Sequence, residues 1–262
     1  MQFSKWHALG NSYVVVERGD RPLTAADAAA LCDAERGAGS DGVLEVVAAD
    51  GASLEILIWN PDGSLAEMSG NGTRIAARWL AARTGADRVD VRVGARRVVA
   101  RMLDDVLVET DVGDVSVGEP ETVAAGDEEI ELTTASVGNP HAVVRREAPT
   151  RADLLLLGPL LETHTRFPER TNVQLVRPDD AHAVTALVWE RGAGETSASG
   201  SSAVAVAAVA VARGWCESPV TVRMPGGDLV VSIAGGRATQ TGPAELLGTG
   251  DWQPEPEGGS HE

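Results

Sequence analysis

The chain of 262 residues has only two cysteines, Cys32 and Cys216, and five scattered histidines. No Cys/His cluster has metal-ligand spacing, so neither a structural zinc nor any other metal is expected. Two isolated thiols suit a reducing, cytoplasmic compartment better than a disulfide framework. Positive charge is scarce: 22 Lys and Arg against 39 Asp and Glu leave a formal charge of −17. A surface of that sign repels phosphate backbones and anionic lipids. No nucleic-acid or membrane partner is expected, whereas a zwitterionic small molecule is compatible. Long apolar runs are lacking too. The longest, Ala203 to Ala212, is alanine-rich and far short of the roughly 20 residues of a membrane span. The opening "MQFSKWHALG" has no basic segment followed by an apolar stretch, so no secretory signal is expected.

What the chain does have is β-branched alternation. Ser12 to Glu17, Val43 to Ala49, Leu54 to Asn60 and Val89 to Gly94 read as strands, and Arg97 to Val112 as a hairpin turning near Asp104-Asp105. One helix is expected from a Thr24 cap to Cys32, another from Gly70 to about Gly85. The second half repeats this grammar. There is a strand within Ala135 to Arg145, then strands at Asn172 to Arg177 and Ala183 to Gly192. A helix follows from Gly200 to Arg213, and a hairpin from Val220 to Ile233. The pattern predicts an α+β fold of two pseudo-symmetric halves, each a curved, mostly antiparallel sheet around a central helix. The halves are expected at 1–115 and 116–242, with a final strand at about 243–252 returning to the first. The acidic stretch Gly126 to Glu131 is expected near the boundary. A Pro/Gly/Glu-rich tail over 253–262 reads as disordered.

The two central helices open alike, as "EMSGNGTRIAARWL" and "GETSASGSSAVAVAAVAVARG". Ser69-Gly70 and Ser199-Gly200 lie 130 residues apart, and each precedes a run apolar almost all round, as in a buried helix. A helix leaves its first N–H groups without intrahelical partners, and its dipole adds positive potential there. Either serine alone reads as an ordinary N-cap. Taken together, two such openings facing one another would clamp an anion. If the anion is the carboxylate of an amino acid, removal of the α-proton pushes negative charge onto it. Preorganised N–H donors then favour the transition state over the ground state.

Seven ordered stretches, "KWHALGNSYVVVE", "CDAERGAGSDGVL", "WNPDGSLAEMSGNGTR", "SVGNPHAVV", "FPERTNVQLV", "WERGAGETSASGSS" and "TGPAE", make the chain resemble diaminopimelate epimerase along almost its whole length. The resemblance implies two pseudo-symmetric halves with the active site in the cleft between them. It implies conversion of LL- to meso-diaminopimelate in lysine and cell-wall precursor synthesis, with no cofactor, by a homodimer. By position, Asn11 is expected at the reacting end of the substrate. Asn60, Asn139, Asn172 and Arg191 are expected at the distal amino-acid end, and His141 and Glu190 beside the reacting centre. The backbones of Gly70, Asn71, Gly200 and Ser201 are expected to form the carboxylate clamp.

Ser69 and Ser199 occupy the family's two catalytic cysteine positions. A thiol with a pKa near 8.5 is readily activated by a helix N-terminus, whereas an alkyl hydroxyl is a far weaker acid. Gly42 stands where the family usually has glutamine, Ser12 where aspartate is usual, and "GSS" where "GTG" is typical. Three readings remain open. The serines epimerise with His141 or Glu190 activating a hydroxyl; the chain is a same-fold isomerase, as among the phenazine-type isomerases, using carboxylate or histidine chemistry on another substrate; or it binds an amino acid without turnover. A serine hydrolase is disfavoured, since neither serine sits in G-x-S-x-G.

Overall fold

The computed structural model describes residues 1–253. The tail expected over 253–262 lies, apart from Gln253, outside the described residues. The chain divides into two units, Met1–Val106 with the segment from Ala244 onward, and Leu107–Pro243.

The first unit runs β1 (Gln2–Ala8), β2 (Asn11–Glu17), α1 (Ala25–Cys32), β3 (Val43–Asp50), β4 (Ser53–Trp59), β5 (Leu65–Ala66), α2 (Gly70–Thr84), β6 (Arg88–Val93) and β7 (Arg96–Met102). Hydrogen bonding orders its strands β1-β2-β3-β4-β6-β7, with the short β5 on the β6 side of β4. The β2–β3 and β4–β6 pairs are parallel and the others antiparallel. Alternation explains the strands: Leu54, Ile56 and Ile58 of β4 and Val89, Val91 and Val93 of β6 are buried. α1 starts on a capping box in which Thr24 and Asp27 satisfy each other's backbone N–H. It closes one core cluster with Val14, Val16, Val43 and Trp59. α2 packs against β1, β4, β6 and β7 and ends at Gly85, whose φ of 74° is the left-handed geometry that favours glycine at a helix end.

The second unit repeats this connectivity. It contains β8 (Leu107–Asp114), β9 (Ser116–Ala125), β10 (Glu128–Ser136), β11 (Pro140–Arg145), α3 (Arg151–Glu162), β12 (Asn172–Asp180), β13 (Ala183–Glu190), β14 (Gly194–Thr196), α4 (Gly200–Ala212), β15 (Val220–Met224), β16 (Gly227–Ala234) and β17 (Arg237–Pro243). Strands β10 to β16 pair as β1 to β7 do, with β11–β12 and β13–β15 parallel. β9 flanks β10 as β18 (Glu245–Asp251) flanks β1. α4 is buried continuously from Ser202 to Ala210. Alanine lets strands approach it closely, and each fully buried valine contributes about 1.5–3 kcal/mol.

Three expectations change. Arg97 to Val112 is not a hairpin: β7 pairs with β6, while β8 pairs with β17. The acidic stretch Gly126 to Glu131 is the turn and opening of the β9–β10 hairpin, inside the second unit. A helix unforeseen in the sequence, α3, holds Pro159 in its interior. A Thr150–Asp153 capping box starts it, and burial of Leu154, Leu157 and Leu161 against β12 and β13 outweighs the proline.

Candidate active site

The repeat in topology fixes which residues are equivalent. β2 pairs with β3 through Val14 and Val43, and β11 with β12 through Ala142 and Val173, both in parallel. Tyr13 therefore occupies in the first unit the position of His141 in the second, and Gly42 that of Asn172. Asn11 and Asn139 each follow a glycine in the left-handed region, Gly10 at φ 81° and Gly138 at φ 97°. At the far ends of β4 and β13, Trp59 and Trp189 are each held through the indole N–H by a buried carboxylate, Glu45 at 3.0 Å and Glu162 at 2.7 Å. The next residues, Asn60 and Glu190, are thereby aimed by an anchored strand end.

Ser69 and Ser199 have nearly the same backbone, φ/ψ −144°/120° and −140°/124°, yet their hydroxyls differ. Ser69 Oγ accepts the Gly72 N–H at 3.0 Å and lies 2.9 Å from the hydroxyl of Tyr13. Ser199 makes no cap bond and donates to Glu190 Oε2 at 3.1 Å. Burial pushes the Glu190 pKa up, partly opposed by hydrogen bonds from Ser199 and Thr196. The N–H groups of Gly70 and Asn71, and of Gly200 and Ser201, lie in the first turns of α2 and α4, where a helix supplies no intrahelical acceptor.

Behind each opening lies a buried polar layer. In the first unit Arg74 is fully buried, and burial lowers its pKa to about 10, leaving it charged at neutral pH. Its guanidinium donates to Asn71 Oδ1 at 2.5 Å, and Asn71 donates to Asn11 Oδ1 at 3.2 Å. In the second unit Gln174 donates to His141 Nδ1 at 3.1 Å and to Ser202 Oγ at 3.0 Å. With Nδ1 accepting, Nε2–H of His141 donates to Asn139 Oδ1 at 3.0 Å. Burial drives the His141 pKa down to about 3, and the Arg191 charge adds to the shift. The imidazole is neutral across the working pH range.

The remaining candidates fall as follows. Asn172 is buried, donates to the Pro140 carbonyl at 2.9 Å and accepts the Arg191 N–H at 2.9 Å. The Arg191 guanidinium is exposed and donates to the Glu169 carbonyl at 3.2 Å. Asn60 donates to Ser64 Oγ at 2.9 Å, within its own turn. The structure thus joins Ser199 to Glu190, His141 to Asn139, Asn172 to Arg191 and Asn11 to Asn71. Tyr13, Arg74, Gln174 and Ser202 were not singled out in the sequence. Polar residues inside a buried strand or an apolar helix were the available signal. Cys32 and Cys216 are buried and free, and burial raises both thiol pKa values. Among the described residues no group of three His, Cys, Asp or Glu could hold a metal ion, and no helix is long and apolar enough to cross a membrane.

Two topologically equivalent units each open a buried helix on a serine beside an ionisable side chain, and the relatives of the chain place it among isomerases of the racemase and epimerase class. The chain belongs to the diaminopimelate epimerase family, whose model matches residues 3–118 and 133–247. The diaminopimelate epimerase of Synechococcus elongatus is 36% identical, over 97% of this chain and 98% of its own. That of Thermobifida fusca is 37% identical, over 96% and 97%. The fold is shared with a hydroxyproline epimerase from Agrobacterium vitis, at a TM-score of 0.68 and 21% identity, over 95% of this chain and 90% of that one.

Proposed function

We propose that the chain interconverts LL- and meso-diaminopimelate by proton transfer at one α-carbon, without a cofactor, using Ser69 and Ser199 as the groups at the reacting carbon. Family membership supports the substrate. One observation carries the chemistry: Ser199 Oγ is bonded to a Glu190 carboxyl whose pKa burial raises. Such a carboxylate draws off the hydroxyl proton as the hydroxyl takes one from carbon, much as an adjacent base activates a serine nucleophile. Inversion asks for a second group on the opposite face, and Ser69 is that group. The N–H pairs of Gly70 and Asn71, and of Gly200 and Ser201, receive the reacting carboxylate as its charge grows. Asn11 meets the reacting end. Asn60, Asn139, Asn172 and Arg191 hold the distal end, Arg191 through a charge-assisted bond to the distal carboxylate. His141 serves beside the reacting centre as a neutral imidazole. The same reading carries a homodimer and a cytoplasmic place in lysine and cell-wall precursor synthesis.

The Ser199–Glu190 bond also favours a second reading, a same-fold isomerase using carboxylate chemistry on another substrate. Incubation with LL-diaminopimelate in buffered D2O, followed by NMR of the α-position, decides. Deuterium at the α-carbon with appearance of the meso isomer is the expected result. No exchange with either diaminopimelate isomer, beside exchange with another amino acid, would overturn the substrate assignment.

A further inference from the structure

We propose that Tyr13 is the proton partner of Ser69, so that the first unit works with a phenol where the second works with the Glu190 carboxylate. This rests on the epimerase reading above and adds to it the source of the second proton. Tyr13 is the only tyrosine of the chain, is 7% exposed, and stands in β2 at the position His141 takes in β11. Its hydroxyl lies 2.9 Å from Ser69 Oγ. The first unit needs such a group, because the position of Glu190 is taken there by Asn60, which is turned to Ser64. A phenol, with an ordinary pKa near 10, is a far better acid than an alkyl hydroxyl.

The hydrogen-bond geometry fits a relay. Ser69 Oγ accepts the Gly72 N–H. When Tyr13 also donates to it, both lone pairs are used and the serine's own proton is directed elsewhere. In the protonating step, the Tyr13 O–H bond breaks and its proton passes to Ser69 Oγ. The Ser69 proton passes to the carbanion, whose electron pair forms the new C–H bond. Tyr13 is left as phenolate and Ser69 unchanged. In the reverse direction the phenolate takes the Ser69 proton while Ser69 Oγ takes the proton from carbon. Glu190 does the same through Ser199, so one turnover leaves Tyr13 ionised and Glu190 protonated, and proton exchange with solvent restores the start.

The site is built around this ring. A Cβ on Gly42 would lie 2.6 Å from Cε1 and 3.0 Å from Cδ1 of Tyr13, and 2.8 Å from the Trp59 carbonyl oxygen. Gly42 leaves the space that the phenol ring fills. Gly42 and Ser69 therefore meet on one side chain, one making room for the ring and the other receiving its hydroxyl.

Tyr13→Phe keeps the ring and removes only the hydroxyl. In D2O the wild type should exchange and invert both the LL and the meso isomer. In the variant, exchange should fall about 100-fold for one isomer. The other isomer should keep exchanging through the Glu190 side, but without inversion. Glu190→Gln should give the opposite isomer preference. A merely structural role would lower both isomers together, and that result overturns the proposal, as does a Tyr13→Phe rate within threefold of wild type. Either leaves the epimerase reading standing. If the wild type exchanges neither isomer, the epimerase reading fails, and tyrosinate absorbance, a signal of Tyr13 alone, decides the pair. A titration midpoint that moves in Ser69→Ala sustains the shared proton; an unmoved midpoint overturns it.

Discussion

Exchange of Glu190 for Gln keeps the side-chain shape and the acceptor that Ser199 Oγ reaches at 3.1 Å, and removes the capacity to take and return a proton. Positioned acid–base groups contribute about 10²–10⁴ in rate, which is about 2.7–5.5 kcal/mol of barrier. Inversion should slow by at least the lower figure, with little change in KM. Stability should move the other way. Burial raises the Glu190 pKa, so the folded chain holds this proton more tightly than the unfolded chain does. That contribution is present at low pH and is lost as pH rises through the raised folded value. Above it, each unit of elevation costs the native state about 1.4 kcal/mol, a cost the amide does not bear. At pH 8 the variant should melt no lower than the wild type. Wild-type activity should also fall on acidification along a limb above the ordinary glutamate value near 4.3, and this limb should vanish in the variant. Rates of α-deuterium exchange across pH 5–9, with calorimetric melting at the same pH values, test both halves. A variant that inverts within threefold of the wild-type rate, or whose inversion keeps the acid limb, would refute the role given to Glu190.

Other consequences are as direct. His141 binds no proton until about pH 3, whereas in the unfolded chain it titrates near 6.5. Its contribution to stability is complete above 6.5 and falls by about 1.4 kcal/mol per pH unit below. Between pH 6.5 and 5, denaturant midpoints should show the wild type losing about 2 kcal/mol more than His141→Gln; parallel losses would contradict a buried neutral imidazole. Gly158→Ala brings a Cβ to 2.7 Å from Cγ and Cδ2 of Trp189. Melting should show a loss of about 1–3 kcal/mol, and the exchange rate should fall with it, since Glu190 follows Trp189 on the same strand. Cys32 and Cys216 are buried with raised pKa values, so iodoacetamide should spare the activity of the folded protein and label both thiols only in denaturant. Inactivation of the folded protein by that reagent would mean a thiol in the site.

What could be read from the sequence was local. The openings at Ser69 and Ser199 were visible because a Ser-Gly pair before an apolar run is a signal a few residues long, and its repetition exposed the two halves. Strands such as Ser53–Trp59 were visible because β-branched alternation is the mark of a half-buried strand. Long-range pairing was hidden. β8 adjoins β7 in sequence and reads as its hairpin partner, but its hydrogen bonds go to β17. α3 was hidden because Gly158-Pro159 reads as a breaker, although Gly158 is there to let the Trp189 ring approach. At the site, Ser69 and Ser199 look identical in sequence. Their partners, Tyr13 and Glu190, arrive from other strands, and only in the fold do the two hydroxyls part company.

That divergence separates two kinds of serine and can be measured. Ser69 Oγ holds the Gly72 N–H of α2, a cap bond whose loss typically costs about 0.5–2 kcal/mol. Ser199 caps nothing, and α4 is stabilised by continuous burial of its apolar residues. Ser69→Ala should therefore lower stability by a cap's worth at every pH from 5 to 8. Ser199→Ala should cost least toward acid pH, where the raised pKa leaves more of Glu190 protonated. As pH rises, the loss should grow, because the buried carboxylate has then lost its hydroxyl donor. Denaturant unfolding of the two variants at pH 5 and pH 8 gives four numbers. Equal, pH-independent losses would mean that Ser199 is only a second cap and that its bond to Glu190 carries no charge. A loss confined to high pH in Ser199→Ala would tie the second hydroxyl to an ionising carboxyl, which is the property that proton transfer at carbon requires of it.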